Sequence, residues 1–183
     1  MSAFIGSFGA DITARAAHVT YQPAQAIQDA LRLYDQASWA GRLGQAWTRL
    51  TGRSSLLLDL ATLAATTVVH SRHAAGVQTI PLGQIQGSEG HCQDFDRAFH
   101  PLQQHPQARW VRVATAGLLD IALPPIKVIQ LGEHYFVRDG HHRVSVAHAL
   151  GQWDIEAVVT VWQMDQSNRM HAANDGCAIR RVR

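Results

Sequence analysis

Residues 126–150 read IKVIQLGEHYFVRDGHHRVSVAHAL, and the fold is decided there. The run from Ile126 to Leu131 is apolar and rich in β-branched residues, and Gly132-Glu133 makes a tight turn. Tyr135, Phe136 and Val137 belong to a second strand, which completes a hairpin. Asp139-Gly140 breaks that strand. From His141 to Leu150 the pattern is helical, with Val144, Ala147 and Leu150 on one side and Gly151 as the stop. A strand thus runs into a glycine and a helix opens within two residues. The first N–H groups of a helix lack intrahelical partners and, with the helix dipole, form an anion site. Gly140 lets the backbone approach a bound group closely. Arg143 offers a bidentate fork for phosphate oxygens. His141 and His142 donate hydrogen bonds or shuttle protons. Asp139 is placed to hold a hydroxyl, a metal ion or a histidine. The competing reading makes Asp139 a helix cap and the histidines surface residues.

Downstream, Ile155, Ala157, Val159 and Val161 alternate as in a strand, and the residues after Asp165 are polar and end in arginines. Upstream, Trp110, Val113, Ala114 and Leu118 mark a helix that stops before Leu123-Pro124-Pro125, where proline forces extended backbone. Phe95, Ala98, Phe99 and Leu102 suggest a short amphipathic helix. Val77 to Pro81 reads as a strand, and Gly83 to Gly90 as a polar, glycine-rich loop. Nearer the N-terminus, Ala24, Ile27, Leu31 and Tyr34 fall on one helical face. Trp39, Leu43, Trp47 and Leu50 repeat at i, i+4, i+8 and i+11, a stripe assigned to core or partner contact. Thr51-Gly52 closes that helix.

Two runs, IPLGQIQGSEG at 80–90 and LPPIKVIQLGEHYFVRDGHHRVSVAHALG at 123–151, resemble the ParB/sulfiredoxin superfamily over residues 77–162. The resemblance implies an α+β fold, a small mixed β-sheet with packed helices. An N-terminal helical region at 23–70 precedes it, with a flexible N-terminus at 1–22 and a polar basic tail at 163–183. Sulfiredoxins carry Gly-Cys-His-Arg at this loop. His141 stands in the cysteine's place here, so sulfinic-acid reduction by that nucleophile is not expected. Chromosome-partition ParB proteins carry Gly-Glu-Arg-Arg, bind CTP, and continue into a helix-turn-helix domain, for which residues 163–183 show no pattern. The Asp-Gly-His-His-Arg motif is most similar to that of the free serine kinases of the superfamily, which use an upstream glutamate base.

What the resemblance implies for the site follows residue by residue. Gly140, His141, His142 and Arg143 bind the phosphates of ATP, ADP or CTP. Glu89, Asp139 and His142 are the catalytic candidates, with Glu89 as base toward a small-molecule hydroxyl acceptor. A Mg²⁺ ion bridges the phosphates near Asp139. The alternative is a non-enzymatic partition-like or regulatory module that binds DNA or protein under nucleotide control, with Trp39 and Trp47 on its interaction surface. Nuclease activity ranks last, because no two-metal carboxylate cluster is evident.

Composition narrows these readings. The 183 residues are 46% hydrophobic and 16% charged, which excludes disorder throughout. A formal net charge of +2 is too small for nucleic-acid binding by bulk electrostatics. Lys127 is the sole lysine, and Glu89, Glu133 and Glu156 are the only glutamates. The 11 histidines invite a metal site. Only His70-x-x-His73, with His91 and Cys92, has usable spacing, and no second CxxC or HxxxH supports it. Asp94 and Asp96 read as helix caps. The opening MSAFIGSFGADITAR lacks the basic region of a signal peptide. Leu56 to Val69 falls short of the ~20 residues a membrane span needs, and reads as a buried helix. Two cysteines are too few for a disulfide framework, so a cytoplasmic location is expected.

Overall fold

The computed structural model describes residues 22–52, 56–66, 68–102 and 107–164. The segment read as a flexible N-terminus, except Gln22, and the basic tail beyond Met164 lie outside them, as does Cys177. The fold is α+β. A six-stranded mixed sheet is built from β1 (Leu58–Asp59), β2 (Val69–Pro81), β3 (Ile85–Ser88), β4 (Ile126–Leu131), β5 (His134–Asp139) and β6 (Asp154–Met164), in the order β1-β3-β5-β4-β6-β2. The helices are α1 (Pro23–Thr51), α2 (Leu60–Thr66), α3 (Gln107–Leu118) and α4 (His141–Ala149).

The β4–β5 hairpin forms as the sequence predicts, antiparallel, with Val128 opposite Val137 and Leu131 opposite His134. Gly132 at φ 64 makes its turn. Alternation sorts these strands onto two faces. Ile126, Val128, Tyr135 and Val137 join Val144 and Ala147 of α4 in one core, while Ile129, Leu131 and Phe136 join Leu60 and Trp162 in another. The α4 layer carries α3 and α1 outside it. Trp110 of α3 is fully buried, and its Nε1–H donates to Ser145 Oγ of α4 at 2.8 Å. That bond avoids the ~1–3 kcal/mol cost of a buried, unpaired donor.

Helix α1 buries a different face from the one its large residues suggest. Ala26, Ala30, Tyr34, Ala37 and Gly41 face inward, while Ile27 and Leu31 are exposed. Small residues allow close approach: a Cβ on Gly41 would lie 3.0 Å from Pro101 O. Tyr34 meets Trp110 edge-on, with ring centroids 5.4 Å apart. Gly52, at φ 69, ends the helix as expected.

Four expectations are corrected. Leu56 to Val69 is not one buried helix: Asp59 accepts hydrogen bonds from Ala61 N at 3.2 Å and Thr62 Oγ1 at 3.0 Å, capping the short α2 and leaving Leu58–Asp59 extended. The strand read at Val77 to Pro81 begins at Val69 and pairs along β6. The glycine-rich stretch 83–90 contains strand β3. Residues 95–102 form a turn rather than a helix, because the Asp96 carboxylate accepts from Ala98 N at 3.0 Å and His100 N at 2.8 Å. Trp162 is buried. Trp153 is almost fully exposed, in the bend before β6. Among the described residues, no helix is long and apolar enough to cross a membrane.

Candidate functional site

Strands β3 and β5 run parallel, Gly87 beside Phe136 and Ser88 beside Val137. Their carboxyl ends therefore open at the same edge, where α4 begins. Ligand sites in α/β sheets favour such edges. A cavity of about 170 Å³ lies there. Its wall includes His91, Asp94, Arg109, Arg138, Asp139 and the loop Gly140 to Arg143.

Gly140 is the residue on which the loop turns. Its φ is 103, and a Cβ there would lie 2.6 Å from Ile126 Cγ2 and 3.0 Å from Arg143 Nη2. Gly140 O accepts from Val144 N at 3.0 Å, which closes the first turn of α4. Among the described residues no side chain caps this helix. Asp139 does not act as the cap. Its Oδ2 accepts from Arg143 Nη2 at 3.0 Å instead. Arg143 Nη1 also donates to the carbonyls of Pro124 and Pro125, the latter at 2.8 Å. Arg143 is thereby anchored to the segment leading into β4, and no side chain among the described residues caps the first turn.

The two histidines differ. His141 is buried, and its Nε2 lies 2.7 Å from Ser88 Oγ. Ser88 Oγ already accepts from His91 N at 3.1 Å. Donation of its own proton to His141 satisfies both groups and places the ring proton on Nδ1. Phe95 stacks on His141 at 6.2 Å and meets His142 edge-on at 5.6 Å. His142 Nδ1 is buried and has no partner among the described residues. Burial pushes both imidazoles down to about 4, helped at His141 by His91 and at His142 by Arg109. Burial lowers His148 as well. Both loop histidines are therefore neutral near pH 7.

This has a consequence for stability. A histidine lowered on folding binds fewer protons than it does in the unfolded chain, whose reference value is about 6.5. The stability it contributes is complete above about pH 6.5 and is lost as pH falls toward about 4. His141 accounts for up to about 3 kcal/mol of that loss, and the more open His142 for a fraction as much. Urea midpoints measured between pH 7.5 and 4.5 are expected to fall steadily, and less steeply in His141→Asn. A midpoint independent of pH over that window would contradict neutral, buried histidines.

Glu89 reaches the same edge but engages Arg138, at 2.5 Å to Nε and 3.3 Å to Nη2. Glu89 is not part of the cavity wall. The sequence reading sets His91 beside Cys92 as a zinc ligand and Asp94 as a cap; both stand in that wall, joined there by Arg109. No local pattern could place Arg109, which arrives from α3 only through tertiary packing. His91 Nδ1 lies 2.8 Å from Asp94 Oδ2, an i, i+3 spacing visible in the sequence. His70 and His73 are exposed on β2, and Cys92 is buried in the core. Among the described residues, no three His, Cys, Asp or Glu side chains gather as a metal site.

No protein-family model and no curated protein matches the chain. Among solved structures it is similar to sulfiredoxin from Arabidopsis thaliana, at 18% identity. That match covers 45% of this chain and 82% of the other, with a TM-score of 0.35.

Proposed function

We propose that the protein binds the phosphates of a nucleotide, ATP, ADP or CTP, at the N-terminus of α4 and transfers a phosphoryl group to a small hydroxyl acceptor. The observation that carries this reading is the uncapped first turn of α4 behind Gly140, in a cavity whose wall also holds Arg109 and the Glu89-paired Arg138. Its backbone N–H groups and the helix dipole favour an anion, and the guanidinium groups match phosphate oxygens. The buried, unpartnered Nδ1 of His142 is a further polar atom that a ligand can satisfy. The Asp-Gly-His-His-Arg motif, similar to that of free serine kinases, supports the same reading.

Magnesium fits as a passenger of the nucleotide. Asp139 keeps Oδ1 free of Arg143, and one carboxylate together with phosphate oxygens is a usual magnesium environment. The ion would neutralise phosphate charge there.

Titration calorimetry of MgATP, MgADP and MgCTP tests the proposal. Arg109→Ala is the informative variant, because Arg109 is exposed on α3 while Arg143 also holds the fold together. Loss of one charge-assisted contact, about 1.5–3 kcal/mol, is expected to weaken binding about 10- to 100-fold without moving the melting temperature. Absence of heat and of thermal shift with all three nucleotides would refute the reading.

A second reading, a nucleotide-controlled module without turnover, has one observation behind it. Trp39, Leu43, Trp47 and Leu50 of α1 are each between 62% and 81% exposed, on the side away from the buried alanines. Such a face suits a protein partner.

A further inference from the structure

We infer that His91, oriented by Asp94, is the proton acceptor of this cavity, in place of Glu89. The inference rests on the phosphoryl-transfer reading above.

The geometry separates the candidate bases. Asp139 is paired with the Arg143 guanidinium through Oδ2. Glu89 has both carboxylate oxygens occupied by the Arg138 guanidinium. His141 has Nε2 bonded to Ser88. His142 has its Nδ1 buried. His91 alone among them pairs with a carboxylate, and its side chain is 57% exposed. An ionised carboxylate only accepts, so the 2.8 Å contact between Nδ1 and Asp94 Oδ2 keeps the proton on Nδ1. Nε2 then carries the lone pair. This is the arrangement in which an imidazole serves as general base, with the carboxylate fixing its tautomer and stabilising the imidazolium. The backbone holds the ring in place: His91 N donates to Ser88 Oγ at 3.1 Å, and the ring centroid lies 4.8 Å from that of His141. Ser88 therefore ties the base and the phosphate loop to the end of one strand. Asp94 acts as a positioning residue.

The step balances without a further reagent. The acceptor hydroxyl, or water, gives its proton to His91 Nε2. Its oxygen forms a bond to the terminal phosphorus as the bridging P–O bond breaks. The electron pair leaves on the nucleotide shortened by one phosphate, and His91 later releases the proton to solvent. Arg109 and Arg138, in the same wall, face the charge on the transferring group.

The test uses the whole chain with MgATP, MgADP and MgCTP, and with water, glycerol or serine as acceptor. Binding is measured by calorimetry and transfer by phosphate or phosphoester formation. His91→Ala is expected to lower turnover about 100-fold or more, with the nucleotide dissociation constant unchanged within about twofold. Added imidazole is expected to restore part of the rate in His91→Ala. Asp94→Asn is expected to lower kcat with KM and melting temperature unchanged, and the unchanged melting temperature separates this from a loss of folded protein. Wild-type turnover in His91→Ala overturns the assignment. So does turnover lost in Glu89→Gln but kept in His91→Ala, or nucleotide binding by the wild type with no transfer to any acceptor. Absence of nucleotide binding instead refutes the phosphate reading on which the inference stands.

Discussion

Gly87→Ala is expected to destabilise the protein by about 3 kcal/mol or more, a fall in melting temperature of about 6–12 °C. A Cβ at Gly87 would sit 2.3 Å from Phe136 Cδ1 and 2.5 Å from Leu58 O. Both distances are far inside van der Waals contact. The neighbours cannot both yield. Leu58 O belongs to β1, a two-residue edge strand with some freedom to shift. Phe136 is buried, packed with Ile129, Leu131 and Trp162 in the core beneath α2. Moving its ring displaces β5, and β5 leads directly into Gly140. The control is Gly83→Ala, four residues earlier. Nothing lies within 4 Å of a Cβ there, so a change within about 0.5 kcal/mol is expected. Thermal denaturation of both variants checks the contrast. Equal melting temperatures would mean that β3 does not pack against β5 as described.

The same stretch explains where the sequence becomes hard to read. Gly83, Gly87 and Gly90 look alike in a chain of letters, and with Gln84 and Gln86 they read as a loop. One of the three lies inside a strand, because an aromatic ring from β5 covers it. That requirement is long-range and leaves no local periodicity. β2 is hidden for a related reason. Most of its residues are exposed, so the alternation that betrays a half-buried strand is missing. The β4–β5 hairpin and α4 were legible because each carries its own turn residue and an apolar set facing a core. Helix α1 was legible in existence but not in orientation. Apart from Tyr34, its buried face is made of alanines and one glycine, which hydrophobic patterning underweights.

At the candidate site the strand–glycine–helix turn was legible and its surroundings were not. Gly140 to Arg143 are contiguous, so strand, glycine and helix announce one another. The partners of those residues come from elsewhere: Ser88 from β3, His91 and Asp94 from the turn that follows, and Arg109 from α3. Arg143 illustrates the limit from the other side. Its residue type and place suit a phosphate clamp, yet its guanidinium is spent on Asp139 and two proline carbonyls. Glu89 is similar: its position after the first strand of the resembling region is suggestive, but its charge is met by Arg138.

Gly140→Ala separates these roles most sharply. Glycines at 132 and 140 both have positive φ, 64 and 103. A Cβ at Gly132 meets nothing within 4 Å. Gly132→Ala should therefore cost only the left-handed backbone strain, about 1–2 kcal/mol. At Gly140 the same strain is joined by contacts of 2.6 and 2.9 Å with Ile126 and 3.0 Å with Arg143. Ile126 is fully buried, so it has little room to retreat. Arg143 must move, and with it go its bonds to Asp139 and the carbonyl of Pro125. Gly140→Ala is expected to cost about 3 kcal/mol or more in stability. In the fraction that remains folded, displacement of the first turn of α4 is expected to weaken MgATP binding at least about tenfold. Calorimetry and denaturation of the two variants side by side check both effects. A Gly140→Ala protein that melts with Gly132→Ala and binds nucleotide like the wild type would show that the loop has room the geometry denies. A protein that is destabilised but binds normally would remove the helix N-terminus from the site while leaving the fold as described.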